Sequence, residues 1–463
     1  MSPGIFTRYR RAHGGAREWA FATIQEIACV GVLLAAVLLP ATQALAQDTA
    51  YDSARLEPDT LVASVLDRNA GLAAMRSAVD AAEARIEPAG ALPDPQLSGA
   101  VAPETIGGFE TPSGRERSTN IRFEVSQDFP WPGTLGLRAD AARKEALAAD
   151  DNVAAVRLRL ASATRSAYAE WYYVHQALEI NVANQDLVDE LRRIAENRYA
   201  AGLTGQQDVL QAEVELQRLK HQAIKLRRIK RSVRAKINNL LNRKATAPVA
   251  GPAGLPLPGS LPPYSRLRRS ALSSHPELAQ IQKRIAADED REALARKAFY
   301  PDFKVFGGYN SLWDAGEKRW IAGVGISLPL DRSKYRARLD EAKAETMRTE
   351  YELADRRTTL LSQLEQAHAA VEEAKHAIAL YENELIPRTL ENLGAARSEY
   401  GAGGGAFLDV ITAEQRKLNA ELELESARAD YFTALAELRR WSGGELTGIT
   451  VPAAMNSEEF MHE

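Results

Sequence analysis

Two stretches of sequence decide the fold: YAAGLTGQQDVLQAE at residues 199–213 and YGAGGGAFLDVITAE at residues 400–414. Tyr, Gly, Asp, Val, an aliphatic residue, Ala and Glu recur in both without a gap, at an offset of 201. A match at a fixed offset indicates an internal duplication. Because glycine permits the positive φ of a tight reversal, each stretch predicts a turn. The returning helices are expected over residues 206–243 and 406–441.

Unusually long helices are predicted before both turns. From about Gly136 to Tyr199 there is neither proline nor glycine, and apolar residues recur at steps of three and four. At 1.5 Å per residue, this helix would be roughly 95 Å long. The second half predicts a matching rod from about Tyr335 to Tyr400, with a kink at Pro387. Helices of this length are typical of coiled coils, repeats and the walls of large assemblies.

Short segments with alternating apolar residues precede each rod. The apolar positions are Ile121, Phe123, Val125 and Phe129 in the first half, and Phe303, Val305, Tyr309, Trp320, Ala322, Val324, Ile326 and Leu328 in the second. Phe306 and Gly307 break the alternation, and the stretch Gln96–Val101 is a weaker strand. Segments of about ten residues with one apolar face are typical of transmembrane β-strands. A half-buried sheet packed on the helices of a protein outside the membrane explains the pattern equally well.

Four strands cannot close a barrel, and open sheet edges are not tolerated in lipid. If these strands meet lipid, several chains must therefore each contribute four. Three copies would give twelve, an even number within the range of known barrels. Trp131, Trp313 and Trp320 lie at or near the segment ends, where aromatic residues at the membrane interface are expected.

The N-terminal segment predicts export. Four arginines precede an apolar run at residues 27–39, and Ala44-Leu45-Ala46 follows, as in a secretory signal peptide. A membrane anchor is the less favoured alternative, because a spanning helix needs about 20 apolar residues. Cys29 is the one cysteine, which excludes a disulfide scaffold and cysteine-ligated metal sites. With 58 basic and 62 acidic residues, the chain lacks the basic excess of a nucleic-acid binder.

These features divide the chain into five segments. They are a signal peptide at 1–46, a first structural repeat at 47–247, a proline-rich linker at 248–265, a second structural repeat at 266–445 and a C-terminal tail at 446–463.

The chain resembles the TolC-type outer-membrane efflux proteins over essentially its whole mature length. The resemblance depends on the duplicated Y-x-x-G-x5-D-V-[LI] turns at Tyr199 and Tyr400, and on the strand entries Pro93-Asp94 and Pro301-Asp302. The stretch QDFPWPG at residues 127–133 is similar to the heavy-metal (CzcC/CusC-like) branch.

The resemblance implies a mainly α fold with a small β part. Long helical hairpins would form a periplasmic tunnel, and four strands per chain would join a twelve-stranded outer-membrane barrel in a homotrimer. The implied function is a passive exit duct for metal cations, docked to a periplasmic adaptor (membrane fusion protein) and an inner-membrane RND-type pump. The alternative is a periplasmic coiled-coil adaptor or scaffold that never enters lipid. Such an adaptor usually has one helical hairpin, whereas this chain predicts two.

No catalytic, cofactor-binding or metal-binding residue is predicted, since the sequence has no phosphate loop, nucleophile elbow or HExxH. The resemblance instead implies roles at the periplasmic aperture. Asp409 matches an acidic residue that rings it, and Asp208 and Tyr400 match a latch that holds it shut. The turn residues expected to meet the adaptor are Tyr199, Gly202, Gly205, Gly403, Gly404 and Gly405.

Two residues depart from the family pattern at the aperture. Thr412 stands where a second acidic residue can occur, and Gly405 stands where a basic latch residue can occur. Apart from the resemblance, Asp208 and Asp409 are also placed to cap the helices that follow the glycine turns.

Overall fold

The computed structural model describes residues 55–102, 120–256, 259–310 and 319–444. The predicted signal peptide, Trp313 and the predicted C-terminal tail lie outside the described residues. Within them are ten α-helices, one π-helical segment and four β-strands. The first half contains α1 (Pro58–Arg68), α2 (Ala70–Ala84), α3 (Ile86–Gly90), β1 (Gln96–Ala102), β2 (Asn120–Phe129), α4 (Thr134–Ala200) and α5 (Gln206–Leu240). The second contains α6 (Tyr264–Ser274), α7 (Pro276–Lys297), β3 (Asp302–Asn310), β4 (Trp320–Ser327), α8 (Arg332–Leu380), the π segment (Tyr381–Leu385), α9 (Ile386–Ala402) and α10 (Phe407–Trp441).

The two long rods form as expected, and only the second is interrupted. α4 runs for 67 residues without a break. The second rod changes to a π-helical segment of 5 residues immediately before Pro387, which occupies the first turn of α9. Proline has no N–H to donate to the preceding turn and its ring displaces a carbonyl, so an irregular turn before it relieves the clash. Among the described helices, none is both long enough and apolar enough to cross a bilayer.

Below the sheet, four helices lie side by side in the order α5, α4, α10, α8. Apolar residues of α4, α5 and α10 form one core cluster around Tyr168 and Trp171. A second cluster joins α8 to α10 around Leu364 and Tyr431. The wall is held together by the facing stripes of neighbouring helices. Its edges are α5 and α8 in the lower part, whereas nearer the sheet α7 packs against both α4 and α8.

The proline-rich linker crosses this wall as an extended strap, by which we mean residues 248–256 and 259–263. Tyr168 Oη donates to the Gly254 carbonyl at 2.9 Å, and Trp171 Nε1 donates to the Ala250 carbonyl at 2.8 Å. Further along, the Gly259 N–H donates to Tyr431 Oη at 3.1 Å. Proline cannot continue a helix, so hydrogen bonds from the wall satisfy part of the strap's backbone.

The four strands form one antiparallel sheet in the order β1-β2-β3-β4, and its register places the apolar residues on one face. Leu97 lies opposite Val125, and Val305 lies opposite Val324. This face is not covered by the rods, because Leu97 is 75% exposed. The alternative of a sheet packed on the chain's own helices is therefore wrong.

Phe306, which breaks the alternation, lies on the opposite face above Gly323. A Cβ atom on Gly323 would come within 2.6 Å of the Phe306 ring. The missing side chain at Gly323 thus leaves room for the Phe306 ring on this face of the sheet.

Candidate functional site

The two duplicated turns lie together at the end of the rods far from the sheet. In the first turn Gly202 has φ +71°, and in the second Gly403 has φ +88°. L-residues with side chains rarely adopt these angles, so glycine is required at both positions. We name the residues of these turns and the first turn of α5 and of α10 the tip.

A hydrogen-bonded latch joins the two hairpins at the tip. Tyr400 Oη of α9 donates to Asp208 Oδ2 of α5 at 3.1 Å, and the Thr204 hydroxyl donates to the same carboxylate. Burial raises the pKa of Tyr400, and the hydrogen bond to Asp208 raises it further. The phenol therefore remains a protonated donor at neutral pH. The structure thus brings together the two residues that the sequence pairs.

Arg198 takes part in the latch, although the sequence analysis did not identify it. Its guanidinium lies 4.6 Å from the centre of the Tyr400 ring, and Nη1 donates to the Gly401 carbonyl at 3.0 Å. A cation over an aromatic face is attracted by the ring quadrupole. Arg198 directly precedes the repeated Tyr199, whereas Glu399 holds the equivalent position in the second turn. That difference between the repeats was the available signal.

Gly405 cannot easily be replaced by the basic residue that the family allows there. A Cβ atom would lie 3.1 Å from the Tyr400 backbone nitrogen and 3.1 Å from Glu399 Cβ. Arg198 supplies a positive charge to the latch from the other hairpin instead.

The latch rests on an apolar floor. The Tyr400 and Phe407 rings are 5.2 Å apart in an edge-to-face arrangement, and Tyr400 is only 4% exposed. Leu191, Ala212 and Val410 belong to the same cluster. Because water is largely excluded here, the bond to Asp208 is worth more than it would be on an open surface.

Asp409 does not join the latch. It is exposed in the first turn of α10, and its carboxylate has no hydrogen-bond or ion-pair partner within the described residues. The capping alternative is wrong for both aspartates, since Gly205 and Ala406 hold the cap positions and neither helix has a side-chain cap bond. Nearby, Thr412 Oγ1 donates to the Leu408 carbonyl at 2.8 Å.

The rest of the tip presents an apolar surface. Tyr199, Leu203 and Leu408 are exposed there, and only Tyr199 was singled out from the sequence. The predicted contact glycines Gly202, Gly205, Gly403, Gly404 and Gly405 all lie in the two turns.

A buried carboxylate lies just inside the tip. Glu414 of α10 is 0% exposed, and neither of its carboxylate oxygens has a hydrogen-bond partner. Glu215 of α5 lies nearby, where its carboxylate accepts from Gln415 Nε2 at 2.8 Å. Burial raises the pKa of Glu414 to about 7, and the negative charge of Glu215 adds to the increase. Its repeat counterpart Glu213 is exposed, so the duplication gave no signal of this difference.

No group of three or more His, Cys, Asp or Glu residues is arranged to hold a metal ion in the part of the chain that the structure describes. Two of the predicted interface tryptophans lie at opposite ends of the sheet. Trp131 follows β2 and stacks on Tyr300 at 4.8 Å, whereas Trp320 begins β4 and packs against Tyr309 at the far end of β3. Trp320 is 72% exposed.

Comparison with known proteins gives consistent matches along the chain. The family described as "Outer membrane efflux protein" matches residues 61–243 and 267–444. Nodulation protein T of Rhizobium leguminosarum bv. trifolii is 22% identical over 375 residues, which cover 77% of this chain and 79% of that protein. The cation efflux system protein CusC of Escherichia coli O157:H7 is 22% identical over 382 residues, with 77% and 79% covered.

Solved structures share the fold. The outer membrane protein VceC of Vibrio cholerae aligns with a TM-score of 0.70 at 20% identity, and the alignment covers 84% of this chain and 96% of VceC. At this level of identity the likeness establishes the architecture of rods and sheet.

Proposed function

This chain belongs to the outer membrane efflux protein family, and from that premise we propose that three copies form the exit duct of a three-part efflux assembly. Each copy would contribute four strands to a twelve-stranded barrel in the outer membrane. The rods would extend the bore through the periplasm. The tip would dock on a periplasmic adaptor, which connects the duct to an RND-type pump in the inner membrane.

The observation that carries this proposal is the uncovered apolar face of the sheet. Leu97, Phe123, Val125, Trp320 and Val324 are all more than half exposed in the single chain. Burying such residues in lipid is favourable at about 25 cal/mol per Å². The outer edges of β1 and β4 have no strand partner within the described residues, and an open edge in lipid is costly. Pairing β4 of one copy with β1 of the next removes both problems and continues the antiparallel order.

The same face argues against a periplasmic adaptor or scaffold. A protein that stays in water rarely exposes so large an apolar surface unless a partner covers it. Trp131 stacks on Phe303 and Trp320 lies opposite Tyr309. These two β3 residues are about 20 Å apart at a rise of about 3.3 Å per residue. That separation fits the apolar band of about 25 Å in outer-membrane barrels.

At the tip, we assign the latch of Arg198, Asp208 and Tyr400 to holding the two hairpins of one chain together while the aperture is closed. Three copies of Asp409 would face the narrowed axis. A ring of carboxylates repels itself and attracts cations, as charged rings do in other channels. Opening would then require the Tyr400–Asp208 bond to break.

We propose metal cations as the cargo. The support is the similarity of QDFPWPG at residues 127–133 to the heavy-metal branch, and the match to a relative named as part of a cation efflux system.

The duct is tested by its assembly and by its conductance. A purified sample should run as a trimer that dissociates on heating, should fractionate with the outer membrane and should conduct ions in planar bilayers. A monomer found in periplasmic extract would refute the proposal. The cargo is tested separately, by deleting the gene and comparing resistance to zinc, cobalt, cadmium, copper and silver with resistance to drugs. Loss of drug resistance alone would refute metal cations.

A further inference from the structure

One helix carries an unusual excess of positive charge. Between Arg218 and Lys236, α5 has 9 lysines and arginines and no acidic residue. Four of them, Arg227, Lys230, Arg231 and Arg234, are spaced so that they share one side of the helix. Together with Trp171 of α4 and the strap residues Pro248 and Val249, they line a groove of about 480 Å³. We name this the basic groove.

The cations of the basic groove make no direct ion pair within the described residues. Within the described residues, none of the four has a carboxylate within 4.0 Å, whereas neighbouring Lys236 pairs with Glu170 at 2.7 Å. Arg234 Nε is buried without a hydrogen-bond partner. Burial lowers the pKa of Lys230; the negative charge of Glu179 opposes the decrease, and the positive charge of Arg234 adds to it.

The height of the basic groove on the wall restricts what can reach it. Trp171 follows Thr134, the first residue of α4 after the sheet, by 37 residues and precedes Ala200 at the tip by 29. At 1.5 Å per residue, the groove is roughly 55 Å from the sheet and 44 Å from the tip. Lipid headgroups at the sheet and a partner docked at the tip are both too far away to neutralise it.

The position of the strap shows on which face of the helical wall the basic groove opens. Because Pro248 and Val249 line the basic groove, the groove opens on the face that the strap crosses. In a tube built from such walls, a peptide lying across the rods fits the outer surface and would obstruct the bore. The basic groove therefore faces the periplasm at mid-height.

We propose that the basic groove binds the carboxylate-bearing peptide stems of the cell-wall peptidoglycan. These peptides are anionic, and they form a network at mid-height in the periplasm. They would therefore match the charge of the groove, its height on the rods and the outer face on which it opens. Carboxylates accept strong, charge-assisted hydrogen bonds from guanidinium groups, which would offset the repulsion among the four cations. The inference depends on the proposed duct, because the duct sets the position of the groove in the envelope.

The test is co-sedimentation of the detergent-purified protein with purified peptidoglycan sacculi at low and high salt. Wild type should pellet with sacculi at low salt and be released as salt rises. Arg227→Gln combined with Arg231→Gln should weaken binding roughly tenfold, because two charge-assisted bonds are lost. The matched control, Lys225→Gln combined with Arg228→Gln, removes the same charge from the same helix outside the groove and should bind like wild type.

Two results would overturn the inference: wild type that ignores sacculi, or a control pair that weakens binding as much as the groove pair. Conductance of the same wild-type preparation in planar bilayers keeps the two proposals apart. Conducting trimers that do not bind sacculi would refute the basic groove alone. A sample that neither conducts nor forms trimers would refute the duct.

Discussion

Replacing Glu414 with glutamine should make the tip less sensitive to pH. The Glu414 carboxylate is fully buried and unpartnered. The charged groups that face it are Glu215 and Arg218 from α5, and Lys417 and Glu421 from its own helix. From α4, the Asn184 amide donates to Glu421 at 3.4 Å. None of these neighbours provides a hydrogen bond to the Glu414 oxygens, so its ionised form is disfavoured in the folded tip.

The size of the effect follows from the pKa. Burial raises the pKa of Glu414 from 4.5 to about 7. A raised pKa means that the folded tip favours the protonated acid, so the stabilisation is complete below about pH 4.5 and is lost as the pH rises towards 7. Between pH 5 and pH 8 the loss amounts to roughly 2.5 kcal/mol per chain. Glutamine has the same shape and no charge to lose, so Glu414→Gln should remove this part of the pH dependence.

The assay is amide hydrogen exchange of α10 residues 407–424 in the detergent-purified trimer. After correction for intrinsic exchange rates, the free energy of local opening should fall between pH 5 and pH 8 in the native chain. In Glu414→Gln it should fall by about 2.5 kcal/mol less. Glu213→Gln is the matched control, since it removes the exposed counterpart in the first repeat and should behave like wild type. If Glu414→Gln and wild type change equally with pH, the reasoning is refuted.

Three further predictions concern the latch, the aperture and the sheet. Tyr400→Phe keeps the apolar floor but removes the bond to Asp208, so it should destabilise the closed tip by about 1–2 kcal/mol and raise single-channel conductance; unchanged conductance would contradict the latch. Asp409→Ala should raise conductance or reduce cation selectivity in planar bilayers, and no change in either would argue against a carboxylate ring. Gly323→Ala places a methyl group against Phe306 and should lower trimer stability by about 1–3 kcal/mol, measured by heating on gels. Gly325→Ala is its control, because the nearest atom there is 3.5 Å away.

The rods, turns and sheet could be predicted because their signals are local. A run without proline or glycine, a fixed repeat and an alternating pattern each depend on neighbouring residues in the sequence. The partners of the latch could be named only through the family resemblance. The contribution of Arg198 and the burial of Glu414 depend on how one hairpin packs on another, and no spacing within a single helix reports that. The apolar face of the sheet was predicted from alternation, but its exposure required the structure.

The duplication itself limits what sequence can show about the tip. Tyr199 and Tyr400 occupy equivalent positions, yet Tyr199 is 49% exposed and Tyr400 is 4% exposed. The environments differ because the Tyr400 phenol points into the first hairpin and bonds to Asp208, whereas Tyr199 makes no equivalent bond to Asp409 within the described residues. One repeat thus supplies the buried side of the latch, and the other leaves its tyrosine on the surface. Only one Tyr–Asp contact is needed to join the two turns. Because Tyr400 and Asp208 make it, Tyr199 and Asp409 remain free for a partner outside the chain. We therefore expect Tyr199, rather than its buried counterpart Tyr400, to contribute to docking at the tip.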